Sequence, residues 1–197
     1  ELTQLGFWSV PFSGFSVLAG SGDKIFTTQY DYNQSFAVRR KTDMSVVKEH
    51  YRTDYYTHRT LAMLDKSTNR IVEASPYRIM VYNVDETNGE VTNVVEKNTN
   101  SFSVFNRDIP VSKNGQYFIP QYHGSVYDQN LNLIVQIPFQ NNGHADVDFS
   151  ADGQFMYVAY LDFSFGGTLI QKFKFPSLEV VGSRRFLSAS PRALEAV

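Results

Sequence analysis

Apolar and polar residues alternate with period two along most of this chain. They fall in runs of about four to eight residues broken by Gly, Asn, Asp, Ser and Pro. The clearest instance is HADVDFSADGQFMYVAYLDF, His144 to Phe163. Residues 144–149 alternate, Ser150-Ala151-Asp152-Gly153 makes a turn, and residues 154–161 form an aromatic-rich run. Asp-Gly between two such runs is a strong short-range hairpin signal. Weaker copies recur, and no ten-residue stretch carries a 3.6-residue period.

Read in order, the runs fall into units of four strands. The first holds 15–19, 24–30, 35–42 and 45–51, and the second 59–64, 70–74, 77–84 and 91–96. The third holds 107–111, 116–121, 124–127 and 133–137, and the fourth 144–149, 154–161, 168–175 and 178–182. A short apolar run within 1–11 resembles the outer strand of a preceding unit. Lys24, Arg70, Gln116 and Gln154 follow the first turn of each unit, at spacings of about 46, 46 and 38. That is near the period of four-stranded propeller blades. A sandwich also has many short strands, but does not repeat one four-strand order with a hairpin after each first strand. The expected fold is therefore all-β: one propeller domain or portion of one over 1–197, with blades near 12–52, 53–98, 104–139 and 143–184. Residues 185–197 read as the start of a further blade.

Phe149-Ser150-Ala151-Asp152-Gly153-Gln154-Phe155-Met156-Tyr157-Val158 resembles the blades of YVTN/TolB-like (WD40-like) β-propellers. Residues 81–91, VYNVDETNGEV, look like the link between third and fourth strands of the same blades. The resemblance implies architecture rather than activity, because propellers host unrelated functions. Relatives of this kind have six to eight blades. About four blades therefore implies either a small four-bladed ring or part of a larger one, completed by another copy or segment.

Composition narrows the function classes. The 18 Lys and Arg are scattered and the net charge is −2, which is no nucleic-acid footprint. The densest basic run, Arg39-Arg40-Lys41, reads as a solvated strand end. With no Cys there is no disulfide framework, thiol nucleophile or Cys-based zinc site. No apolar run reaches the roughly 20 residues of a membrane span. No targeting leader is visible, the chain does not open on Met, and it reads as a soluble mature form or fragment of unassigned compartment. Nucleophile-elbow, phosphate-loop and His-Glu-x-x-His motifs are absent. In residues 146–153 the glycine falls two positions late for a calcium loop and the terminal Glu is missing. Asn33-Gln34-Ser35 is the one glycosylation sequon.

In a propeller, the links before each first strand and between second and third strands converge on one face. Three chemistries compete there. Tyr30, Tyr32, Tyr77, Tyr122 and Phe163 supply rings for a protein segment or a sugar, or else pack blade against blade. Arg59, Arg107 and Arg192 fall at comparable places and suit a carboxylate or phosphate, or else pair with local acids such as Asp108 and Glu195. His58, His144, Asp146 and Asp162 offer ligands for a divalent ion such as calcium or zinc, as in lactonase-like propellers. The plainer reading makes His144 a strand-entry residue and has Asp146 and Asp148 line a wet channel. The resulting expectation is a noncatalytic interaction scaffold without a cofactor, binding a protein partner. Tyr30, Tyr32, Arg59, Tyr77, Arg107, Tyr122, His144, Asp146 and Phe163 are the candidate binding residues. The alternative is a lactonase-type hydrolase with a channel metal.

Overall fold

The computed structural model describes residues 17–28, 34–51, 60–75, 77–99, 109–120, 124–138, 144–162 and 167–187. Every regular element among them is a strand. The first sheet comprises β1 (Val17–Ala19), β2 (Lys24–Thr27), β3 (Gln34–Arg40) and β4 (Val46–Tyr51). The second comprises β5 (Thr60–Asp65), β6 (Arg70–Ser75), β7 (Arg78–Val84) and β8 (Val91–Asn98). The third has β9 (Tyr117–Phe118), β10 (Ser125–Asp128) and β11 (Leu133–Gln136). The fourth has β12 (His144–Phe149), β13 (Phe155–Asp162), β14 (Gly167–Lys174) and β15 (Glu179–Leu187). Within each sheet the strands are antiparallel and lie in chain order.

Three expectations need correction. Among the described residues the third sheet has three strands, not four: of the run read at 107–111 only 109–111 is described, and it forms one bridge, Val111 to Phe118. Pro110 weakens the pairing among the described residues: its carbonyl accepts from the Ile119 amide at 3.0 Å, but proline has no N–H to return the bond. Second, β15 runs to Leu187, so 185–187 belong to the fourth sheet and not to a further unit; residues 188–197 lie outside the described residues, as do 1–16. Third, the second strands begin at Lys24, Arg70, Tyr117 and Phe155, one residue beyond Gln116 and Gln154 in the last two units.

Successive sheets pack face to face through three apolar clusters. Phe26, Phe36 and Val38 of the first sheet meet Leu61, Ile71, Met80, Tyr82 and Val84 of the second. The opposite face of the second sheet, with Leu64, Val72, Ile79 and Val81, meets Ile109, Phe118, Tyr127 and Leu131. Ile119, Val126 and Ile137 then meet Val147, Phe149, Met156, Val158, Tyr160 and Phe173 of the fourth. A sheet covered on both faces must be apolar at consecutive positions, which is why β7 reads Ile79-Met80-Val81-Tyr82. On β12, Val147 and Phe149 are buried towards the third sheet while Asp146 and Asp148 alternate onto the other face, half-buried. The first strands β1 and β5 approach each other as elements, so they form the inner edge and the fourth strands the outer. The molecule is a propeller-like row of blade-like sheets.

Candidate functional site

The two ends of the row differ. At one end lie the turns that join first to second and third to fourth strands, each four to six residues long. The third and fourth units build their first turn identically. The Ser112 hydroxyl accepts from the Tyr117 amide (2.9 Å), and the Asn114 side-chain oxygen accepts from the Gln116 amide (3.1 Å). In the fourth, the Ser150 hydroxyl accepts from the Phe155 amide (2.9 Å) and the Asp152 carboxylate from the Gln154 amide (3.0 Å). Gly115 and Gly153 close these turns at the same φ of 69°, in the left-handed region glycine enters without Cβ strain.

These turns also brace neighbouring sheets. Asn69, buried, accepts from the Ser21 amide at 2.7 Å and donates to the Ser21 hydroxyl at 2.9 Å. Arg70 donates to Asn83 (2.6 Å) and to the Gln129 carbonyl (3.1 Å), joining the second sheet to the third. Its Nε is buried without a partner, and desolvation holds the guanidinium below its ordinary pKa despite the pull of Asp65. Two polar grooves open between these turns. One of about 270 Å³ is lined by Ser67, Thr68, Asn83 and Asn93, and one of about 430 Å³ by Asp65, Tyr117, Asp128, Gln129 and Ile134.

The carboxylates of the larger groove are committed to their own turns. Asp65 accepts from the Ser67 amide (2.8 Å) and from the Ser67 and Thr68 hydroxyls (2.7 and 2.9 Å). Those bonds, led by Ser67, hold it below the ordinary carboxylate pKa. Burial pushes Asp128 up, but hydrogen bonds from Asn132 and Asn130 outweigh it and the net direction is down. Both are therefore anionic struts at neutral pH rather than poised proton carriers. Reading the sequence missed these grooves. The Asp-x-Ser-Thr-Asn run at 65–69 signals its turn, but nothing in the sequence places it against Gln129.

The opposite end carries the links read as functional. They run from two residues before β7 to eight between β4 and β5, seven between β11 and β12, and twelve between β8 and the Val111 bridge. Tyr77 is half-buried in the short link before β7, where its carbonyl accepts from the Thr99 amide at 2.7 Å. Asp146 lies near the start of β12, just past an irregularity in which His144 pairs with Tyr160 and Asp146 with Ala159, leaving Ala145 as the extra residue. Its carboxylate accepts from the Val147 amide at 2.9 Å. For His144 only the backbone is described. Tyr30, Tyr32, Arg59, Arg107, Tyr122 and Phe163 lie outside the described residues, as do His58 and Arg192. Tyr77 and Asp146 thus occupy the same end on different sheets, the second and the fourth. Among the described residues no three His, Asp or Glu side chains gather as a metal-holding group. No described helix is long and apolar enough to cross a membrane.

With this geometry in place, the chain can be set beside known proteins. No protein-family model matches it, and no curated protein matches it. Among solved structures, hydrazine synthase of Kuenenia stuttgartiensis has a similar fold, with a TM-score of 0.64 at 13% identity. The likeness covers 97% of this chain and 54% of that one, so the chain spans about half that protein's length. At this identity the likeness shows the fold alone. Fold and ends together define a propeller-like, all-β protein with one braced end and one end of longer links.

Proposed function

We propose that this protein is a noncatalytic interaction scaffold that engages a protein partner at the end of longer links. The observation that supports it is the contrast between the two ends. At one, turn carboxylates, amides and hydroxyls are used up in caps and braces. At the other, longer links leave a rigid frame, the arrangement in which binding residues concentrate. Tyr77 and Asp146 are the described candidates at that end, and Tyr30, Tyr32, Arg59, Arg107, Tyr122, His144 and Phe163 share its links. The Ser-x-Asn-Gly and Ser-x-Asp-Gly turns support a place among YVTN/TolB-like repeats as part of the same proposal. A larger ring, completed by another copy or segment at the outward faces of the first and fourth sheets, is part of the same proposal.

Site-specific photocrosslinking tests the reading. A photoreactive residue replaces Tyr77 in one variant and Thr68, in a turn at the braced end, in another. Each is exposed to extract of the source cells and assayed for lactone hydrolysis with calcium or zinc added. A discrete adduct from position 77, competed by unlabelled protein and absent from position 68, is the expected outcome. Equal adducts from both positions would end the assignment to this end, and metal-dependent lactone turnover would replace the scaffold with a hydrolase.

A further inference from the structure

The caps and braces use the backbone groups and hydroxyls of the turns, but in the larger groove they leave side-chain amides over. Asn114 spends its side-chain oxygen on the Ser112 hydroxyl (2.8 Å) and the Gln116 amide (3.1 Å). The Gln116 N–H fixes which atom is the oxygen, so both Nδ2 hydrogens remain to donate. Gln129 is the reverse case: its Nε2 donates to the Gly115 carbonyl at 2.9 Å, and its Oε1 remains to accept. Each side chain is thus held by one half of its amide and offers the other. Among the described residues neither spare half has a protein partner, and the same holds for the side-chain amides of Gln116 and Asn130 and for the Tyr117 hydroxyl. All five residues line the one groove of about 430 Å³ between the second and third sheets.

The other walls narrow what such a groove can hold. Asp65 and Asp128 each take two hydrogen bonds on Oδ1 but one on Oδ2, from the Thr68 hydroxyl and the Asn132 side chain, both at 2.9 Å. An ionised carboxylate oxygen accepts two, so each Oδ2 has one lone pair left. Among the described residues no cationic side chain lines the groove, and two carboxylates repel a phosphate or an acid. Tyr117 adds an aromatic wall, its ring fixed edge-to-face against Phe175 at 5.0 Å, and Ile134 adds an apolar one. The matching ligand is uncharged, has hydroxyls that donate to carboxylates and accept from amides, and has a C–H face for the two apolar walls. We propose that this groove is a binding site for a neutral sugar. Its volume falls within the roughly 300–1,000 Å³ of small-molecule sites. Because the caps already hold Asn114, Gln129 and both carboxylates, binding orders little that is not ordered beforehand. The site lies at the braced end and does not depend on the protein partner proposed for the other.

Saturation-transfer NMR on the whole chain tests the site. The probes are the methyl glycosides of glucose, galactose, mannose and N-acetylglucosamine, the disaccharides cellobiose and chitobiose, and N-acetylneuraminic acid as an anionic sugar. At about 10 mM at least one neutral sugar should receive saturation and the anionic one should not. Asn114→Asp rebuilds the Ser-x-Asp-Gly turn that the fourth unit already uses, so the fold is kept while the free donor pair is lost. That variant, and Asn130→Ala at a side chain that bonds no protein group, should each weaken binding about tenfold. Asp152→Asn, the opposite exchange in the fourth unit, should leave binding unchanged. A free saccharide and a glycan chain on a partner share this chemistry. Tighter retention on the same sugars immobilised as oligosaccharides marks the glycan as the source, tighter binding of the soluble sugars marks the saccharide, and either result supports the site. Absence of transfer to every neutral sugar, transfer to the anionic sugar alone, or equal affinity in the parent, Asn114→Asp and Asn130→Ala overturns it. Calcium chloride that shifts the groove's amides where no sugar does would put a cation in its place.

Discussion

At the scale of single residues, two glycines separate backbone need from packing need. Gly115 and Gly153 share a φ of 69°. A Cβ on Gly153 meets nothing within 4 Å, whereas one on Gly115 lies 1.7 Å from the Leu64 carbonyl oxygen of the second sheet. Gly153→Ala therefore costs only the left-handed penalty, about 1 kcal/mol. Gly115→Ala must also push two sheets apart and should lower stability severalfold more, as urea unfolding of the pair will show. Asn69 makes a second residue-scale test. Its replacement by Ala strands the half-buried Ser21 amide and costs about 1 kcal/mol, measured the same way. Both glycines stand in turns legible from the sequence; that Gly115 abuts another sheet was not, because close approach depends on residues fifty positions away.

At the scale of elements, the turns explain why the chain was readable. Side-chain caps from Asp and Ser act over two to five residues, so local sequence specifies them. Fifteen of sixteen anticipated strands exist within a few residues of their expected bounds; the sixteenth, at 107–111, lies partly outside the described residues and shows there one bridge at Val111, next to Pro110, whose missing donor the alternating pattern concealed. Caps also predict the acid response. Asp152 is held below the ordinary carboxylate pKa by the Ser150 hydroxyl and the Gln154 amide, and Asp85 by the Asn88 and Thr87 amides. Such carboxylates contribute stability above their unfolded pKa and lose it as pH falls through the lowered value. Midpoints recorded between pH 5 and pH 2 should drop. Asp152→Asn, which copies Asn114 of the third unit, should fold normally and flatten the drop slightly, while Asp152→Ala should destabilise at every pH.

At the scale of the whole molecule, stability comes from three face-to-face clusters joined in series. Phe118 is wholly buried where the second sheet meets the third, the sheet with fewest strands. Phe118→Ala should cost about 3–5 kcal/mol in urea unfolding and release amides of the third sheet ahead of β5–β8. Tyr160 reports on the neighbouring interface. Burial pushes its hydroxyl up to about 12, and it donates to the Pro138 carbonyl at 3.2 Å. It should be among the last tyrosines to ionise in an ultraviolet pH titration, unless that interface has opened.

By itself, the sequence determined which segments are strands, where they turn, and that the units repeat, since alternation, Asp-Gly and Asn-Gly pairs and side-chain caps act between near neighbours. Only the tertiary structure decided which face of each strand meets which sheet, that Asn69 reaches Ser21 and His50 reaches Gly89, and that two polar grooves open at the braced end. The candidate site was legible only as link positions: Tyr77 and Asp146 came to the same end because antiparallel strands in chain order return alternate links to one side. Contacts between sheets join residues far apart in the chain, and no local pattern encodes such a partner.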